Sequence, residues 1–181
     1  MKIIEQLTAD KTYLESYLKG QGWLPLNEKI TAIEIPGAGN MNFIIRVKTQ
    51  ERSLIIKQSR EFVEKYPHID APAERALREA EFYQLISEEE SIKNKMPRLI
   101  GVDKKNCVLN LEDLGNGVDY TFLYQKNMHL DVAELQEIIT FAARLHQTIN
   151  TDTSRALLPT ERCANSIMNI YLFIHTSVTT D

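Results

Sequence analysis

The sequence is poor in the residues that mark several special classes of protein. Its 181 residues include only two cysteines, one tryptophan, seven glycines and six prolines. Two cysteines are too few for a disulfide framework, and Cys107 and Cys163 lack the spacing of metal ligands. The low glycine and proline content excludes collagen-like and low-complexity chains. We therefore expect a globular protein that relies on an ordinary hydrophobic core.

Long hydrophobic runs are also missing, and neither sign of charge dominates. The longest aliphatic or aromatic run, Ile170–Ile174, is far shorter than the roughly 20 residues of a membrane span. Glu5 comes before any apolar region develops, which argues against a secretory signal. The 21 Lys and Arg oppose 25 Asp and Glu without a basic block, which argues against duplex nucleic acid as a partner. We expect a cytoplasmic protein whose partners include neither a membrane nor a nucleic acid.

Hydrophobic periodicity predicts an alternation of helices and strands. Asp70 and Asp131 are candidate N-caps for the second and third helices. The polar stretch 60–70, with Pro67, is predicted to be a loop or an irregular insertion. The predicted elements are a helix over 8–19, strands over 33–35, 43–47 and 53–57, a helix from 70 to about 90, a hairpin over 99–102 and 107–111, a glycine-containing linker, and a helix over 132–149. The residues after Asn150 have no sustained period, so no element is predicted there.

A glycine-bearing turn, Gly37-Ala38-Gly39-Asn40, lies between the first two predicted strands. A dinucleotide fingerprint would need a glycine at position 42 and a following helix, and a Walker A loop would need Gly-Lys-Ser/Thr; neither pattern is present. Two interpretations remain. Small residues would let backbone N–H groups approach the phosphates of a nucleotide, or the segment is an ordinary hairpin turn.

Lys57 ends an apolar strand, where a lysine is costly unless its ammonium group reaches water or an anion. In a functional interpretation, the lysine would contact two anions: a nucleotide phosphate and a glutamate from the next helix. Glu79 is the best candidate for the glutamate, because its helix spacing places it with the apolar residues. Glu81 is the second choice, and Glu74 is better explained as a surface partner of Arg78. Taken singly, a snorkelling lysine and a solvated glutamate are the simpler interpretations.

The order of these features resembles the N-terminal lobe of the protein-kinase-like fold. More narrowly, it resembles the aminoglycoside phosphotransferase and choline kinase superfamily, and the methylthioribose kinase branch in particular. The segments that carry the resemblance are Ile35-Pro36-Gly37-Ala38-Gly39-Asn40-Met41-Asn42-Phe43, Ser53-Leu54-Ile55-Ile56-Lys57-Gln58, Arg78-Glu79-Ala80-Glu81, Val108-Leu109-Asn110-Leu111-Glu112-Asp113-Leu114 and Ala143-Arg144-Leu145-His146. They cover about residues 25 to 150.

The resemblance implies an ATP-dependent small-molecule kinase that uses Mg²⁺ and phosphorylates a hydroxyl of a small polar substrate. In that family the glycine loop cradles the phosphates, the lysine holds them, the glutamate orients the lysine, and the hinge after the last strand holds the adenine. The residues that the resemblance assigns to the nucleotide are Gly37, Gly39, Asn40, Lys57, Glu79, Glu112 and Leu114.

The chain departs from the superfamily at the catalytic residues. The family motif is His-Gly-Asp with an Asn five residues after the Asp, followed downstream by a metal-binding Asp, and neither motif is present. Three lookalikes, His129-Leu130-Asp131, His68-Ile69-Asp70 and Asp113-Leu114-Gly115, have the wrong order or context. No catalytic or metal-binding residue is therefore assigned. We expect a truncated and inactive family member, or alternatively a non-catalytic nucleotide-binding or protein-interaction module.

The predicted fold class is α+β, with a kinase-like N-terminal lobe and an incomplete helical C-terminal lobe. The N-terminal lobe, residues 1–112, would hold the N-terminal helix, a five-stranded antiparallel sheet and one further helix. Residues 113–150 would form the hinge and the first helix of the C-terminal lobe, and 151–181 a poorly specified tail. The apolar stripe of the helix over 132–149 lacks a covering lobe, so either self-association through it or a partner protein is expected.

Overall fold

The computed structural model of the chain describes residues 4–36, 40–115 and 120–149, and within them the fold is mixed α+β. The predicted tail, 151–181, lies outside the described residues. In chain order the elements are α1 (Lys11–Gly20), β1 (Ala32–Glu34), β2 (Phe43–Lys48), β3 (Ser53–Gln58), β4 (Phe62–Val63), β5 (Tyr66–Asp70), α2 (Arg75–Ile86), α3 (Glu90–Lys93), β6 (Leu99–Asp103), β7 (Val108–Glu112), a 3₁₀ helix (Tyr120–Tyr124) and α4 (Val132–Ile149).

Five strands form one antiparallel sheet with the order β1-β2-β3-β7-β6, which confirms the predicted five-stranded antiparallel sheet. Strand β3 lies in the middle, and α2 is inserted in the chain between β3 and β6. Directly paired residues share a face of the sheet, and successive residues alternate between faces. Ile45 and Ile56 are paired on one face, and Ile44 and Lys57 are paired on the other.

The chain divides into two compact units. The first consists of residues 1–80 and 98–113, and the second consists of residues 81–97 and those from 114 onward. The core of the first unit joins α1 and the segment after it to one face of the sheet. Its buried members are Leu7, Leu14, Leu18, Trp23, Leu24, Ile30, Ile45, Val47, Leu54, Ile56 and Val108. In the second unit Ile92, Met96, Phe141 and Leu145 are buried.

Helix α1 begins later than predicted, at Lys11 rather than Thr8. The cause is Asp10, whose carboxylate accepts the N–H of Tyr13 at 2.7 Å and so caps the helix. After the helix the chain brings Trp23 against strand β6. A Cβ at Gly101 would lie only 2.2 Å from the Trp23 Nε1, so this close approach requires glycine.

A buried hydrogen-bond network ties the N-terminal segment to the sheet through Gln58, which has no exposed surface. Its Oε1 accepts the N–H of Leu7 at 2.9 Å, and its Nε2 donates to the carbonyls of Glu5 and Asn106 at 2.7 and 3.0 Å. One residue thereby satisfies three backbone groups, so Gln58 fixes both the segment before α1 and the turn between β6 and β7.

Asp103, the last residue of β6 before the same turn, accepts hydrogen bonds from the Tyr17 hydroxyl and the Asn106 side chain, both at 2.7 Å. Burial alone would raise the pKa of the Asp103 carboxyl, but these bonds together with the backbone N–H groups of Lys105 and Asn106 lower the pKa below its usual value. Burial and the same contact raise the pKa of the Tyr17 hydroxyl. The pair therefore carries its proton on the tyrosine at neutral pH.

The stretch predicted as a loop, residues 60–70, is instead a β-hairpin of β4 and β5, so that prediction is wrong. Every residue of β5 is exposed, and the strand is one of only two in its small sheet, where Pro67 is tolerated. Asp70 pairs with Phe62 in this hairpin and does not cap the next helix.

Helix α2 is shorter than predicted at both ends. It begins at Arg75 rather than near Asp70, because the residue before Pro72 is disfavoured in helical geometry and a turn at 73–74 precedes the helix. It ends at Ile86, and the predicted continuation to Glu90 is replaced by a turn at 87–88 and the start of the short helix α3.

The last described helix, α4, has the predicted bounds, and Asp131 caps it by accepting the N–H of Ala133 at 2.8 Å. Its apolar residues divide between two environments. Phe141 and Leu145 are buried, whereas Val132, Leu135 and Ile139 are exposed in the described part of the chain. None of the helices in the described residues has both the length and the apolar character to cross a bilayer.

Candidate functional site

The candidate site is centred on Lys57, in the middle strand of the sheet. Antiparallel pairing places Ile44 of β2 and Leu109 of β7 directly beside it on the same face. This is the face opposite the one that packs on α1. Leu109 is fully buried, so the aliphatic part of the lysine lies among apolar neighbours, and its ammonium group requires an anionic partner.

Glu79 of α2 supplies that partner. The Lys57 Nζ lies 2.6 Å from Oε2 and 2.8 Å from Oε1 of Glu79, and the side chains are 16% and 7% exposed. The carboxylate thus receives the ammonium group on both oxygens. The two residues that the sequence analysis paired are therefore in contact, and their role toward a nucleotide stays a prediction.

The other residues predicted to bind a nucleotide make contacts of their own. The Asn40 carbonyl accepts the N–H of Lys65 at 3.0 Å. Glu112 ends β7, where its N–H donates to the Arg98 carbonyl at 2.9 Å and its carboxylate accepts the Arg98 N–H at 3.1 Å. Leu114 belongs to the second unit and is exposed. Gly37 and Gly39 lie outside the described residues.

A second buried ion pair, missed in the sequence analysis, lies on the same face of the sheet. Arg46 of β2 approaches the Asp113 carboxylate with Nε at 2.8 Å and Nη2 at 3.0 Å, and Ser53 donates its hydroxyl to Asp113 at 2.6 Å. The Asp113 side chain is 3% exposed. A cation within the apolar run 43–47 was the available signal, because a buried guanidinium requires an acceptor.

An ammonium group such as that of Lys57 is able to contact an anion. It has three donors, and both oxygens of the Glu79 carboxylate lie within 2.8 Å of it. No group of three or more His, Cys, Asp or Glu side chains that could hold a metal ion occurs in the part of the chain that the structure describes. We therefore assign no ligands to a metal.

The chain matches no protein-family model, and a search of curated proteins returned no match.

Proposed function

We propose that this chain contains the nucleotide-binding lobe of an ATP-dependent small-molecule kinase. The observation that carries the proposal is the ion pair between Lys57 of the middle strand and Glu79 of α2. The strand order, with a helix inserted between the third strand and the hairpin that completes the sheet, is compatible with a kinase-like N-terminal lobe. The ligand class is a nucleoside triphosphate, with Mg²⁺ implied by the family resemblance.

The energetics of the ion pair favour a binding role over a purely structural one. Removing two charges from water costs about as much as their attraction returns, so a buried pair is often no more stabilising than apolar residues of the same size. The position of Lys57, between Ile44 and Leu109, could have been filled by an apolar side chain like those of its two neighbours. A lysine that must contact phosphate during binding accounts for the charge, and the glutamate accounts for the fixed direction of that lysine.

The same proposal leaves phosphoryl transfer without its central residues. The 181 residues contain no His-Gly-Asp motif, so the carboxylate that would orient the acceptor hydroxyl is not assigned to any residue. Positioning and charge stabilisation provide almost all of the catalysis in this reaction. We therefore propose that the chain binds the nucleotide and does not transfer its phosphate, and an assay for ADP release with sugar and amino-alcohol acceptors checks the second part.

Thermal unfolding of the full chain, titrated with ATP and Mg²⁺, tests the proposed binding. A ligand that binds only the native state stabilises it by about 2.7 kcal/mol at roughly 100 times its Kd. We expect the midpoint of unfolding to rise with ATP concentration and to rise less with adenosine at equal concentration, because adenosine lacks the phosphates that the lysine would contact. A midpoint that stays constant up to millimolar ATP would refute the proposed function.

A second function, protein interaction, is favoured by the exposed stripe of Val132, Leu135 and Ile139 on α4. These residues lie three and four positions apart and therefore form one helix face. We propose that the face pairs with a second copy of this chain. Light scattering should give a mass that rises with protein concentration, and Ile139→Glu should return the mass to that of a monomer. Ala133→Glu, on another face of α4, is the matched control, and a constant monomer mass for the wild type would contradict the proposal.

A further inference from the structure

The three residues that precede β2, 40–42, are held by hydrogen bonds from two other parts of the first unit. From the hairpin, the Lys65 N–H donates to the carbonyl of Asn40 at 3.0 Å. From α2, the Arg75 Nη2 donates to the carbonyl of Met41 and to the side-chain oxygen of Asn42, both at 3.1 Å. The segment 40–42 is therefore anchored to α2 and to the hairpin.

Asn42 receives a further bond from the end of β3. The Ser59 hydroxyl donates to the Asn42 Oδ1 at 2.9 Å, on the same oxygen that accepts from Arg75. The other arm of the Arg75 guanidinium, Nη1, donates to the Pro72 carbonyl at 2.6 Å and to the Arg60 carbonyl at 3.4 Å. One planar guanidinium thus bridges the start of α2, the end of β3 and the start of β2.

The Arg75 contacts lie next to the Lys57–Glu79 ion pair along α2. Arg75 and Glu79 are four residues apart, so they lie one turn apart on the same face of α2. Ser59 directly follows β3, two residues after Lys57. The first turns of α2 are therefore linked to β3 directly through Glu79, and to the residues that flank β2 and β3 through Arg75.

We propose that Arg75 is a positioning residue, which aligns Glu79 with Lys57 and holds residues 40–42 in place for the binding of a nucleotide phosphate. The inference rests on the proposed function for its ligand. Its mechanical part, that Arg75 holds Glu79 and residues 40–42 in position, concerns only this chain. Arg75 does not contact the phosphate. Its loss would act through the position of α2 and of the segment 40–42, and the affinity for the nucleotide would fall although Lys57 is still present.

Hydrogen–deuterium exchange of the full chain, followed by mass spectrometry, tests the mechanical part without a ligand. In Arg75→Gln we expect the amides of 40–48 and 60–70 to exchange about 10-fold faster or more. An acceleration of this size is expected when a hydrogen bond to a charged group is lost. The amides of 99–112 should keep their rates. Arg75→Lys should behave like Arg75→Gln, because a single ammonium group cannot reproduce the hydrogen bonds that the two arms of the guanidinium donate. Arg144→Gln, an exposed site on α4, is the matched control.

The milder variant Ser59→Ala removes one bond to Asn42 and keeps the guanidinium, so it remains informative if Arg75→Gln does not fold. We expect a smaller acceleration in it, confined to the same two segments. Unchanged exchange rates in 40–48 and 60–70 would overturn the inference, because they would exclude the anchoring. An equal rise of the exchange rates in 99–112 would also overturn it, because it would indicate only a general loss of stability.

ATP binding by the same variants then separates this inference from the proposed function. We expect the Kd for ATP to rise about 10-fold in Arg75→Gln, in line with the loss of a charged hydrogen bond. An unchanged Kd in a variant with faster local exchange would overturn the positioning role. A wild type that does not bind ATP would refute the proposed function, and with it the role toward phosphate, whereas the exchange rates would still decide whether Arg75 holds α2 and residues 40–42.

Discussion

Replacing Gln58 by leucine should lower the free energy of unfolding by about 3–5 kcal/mol, the range of the severe single substitutions. Leucine has a similar volume, so the loss comes from hydrogen bonding rather than from a cavity. It leaves the Leu7 N–H and the carbonyls of Glu5 and Asn106 without the partner they have in the wild type. Each such group costs about 1–3 kcal/mol when it stays buried.

Equilibrium unfolding in urea measures the effect of Gln58→Leu, and Gln50→Leu is the matched control. Gln50 lies at the exposed turn between β2 and β3, so its substitution should change the free energy by less than about 0.5 kcal/mol. A loss below about 1 kcal/mol for Gln58→Leu would mean that water replaces the lost bonds. The N-terminal segment would then not depend on this residue.

Replacing Lys57 by methionine should have two separable effects, one on stability and one on binding. It leaves the carboxylate of Glu79, 7% exposed, without its cation, and breaking a buried pair in this way costs about 3–5 kcal/mol. It also removes the group that would contact phosphate, so the ATP-dependent rise of the unfolding midpoint should disappear.

The double variant Lys57→Met/Glu79→Leu distinguishes the two effects. With both charges gone no buried carboxylate is left unpaired, and the stability should return to near that of the wild type. ATP binding should stay absent. The exposed pair Lys48–Glu34 on β2 and β1 provides the control, because Lys48→Met should change stability by less than about 1 kcal/mol and leave binding intact. Binding of ATP by the stable double variant would exclude Lys57 from the site.

The elements predicted from sequence alone are those with a strong local signal. Strands β2 and β3 have β-branched runs, and α4 has both a full apolar period and the Asp131 cap, so these bounds agree to within a residue. The hairpin of β4 and β5 has no such pattern. The hairpin makes tertiary contacts, among them the hydrogen bond from its turn residue Lys65 to Asn40, and a local pattern does not contain such contacts.

The same distinction applies to the site. The contact of Lys57 with Glu79 could be predicted because each residue carries a charge at an apolar position, and such charges require partners. Arg75 could not be assigned, because its partners are mainly backbone carbonyls, which every residue has. The Asp113 partner of Arg46 was also missed, since a pair 67 residues apart in sequence is defined only by the pairing of the strands.

Covalent labelling with an acyl phosphate derivative of ATP tests most directly whether a nucleotide binds at Lys57. The amine of a lysine beside the phosphates attacks the acyl carbon, an amide forms, and ATP leaves. Peptide mass spectrometry should find the acyl group on Lys57, and excess unmodified ATP should prevent the labelling. Label spread over exposed lysines such as Lys48, with no effect of competing ATP, would contradict the nucleotide-binding role of this site.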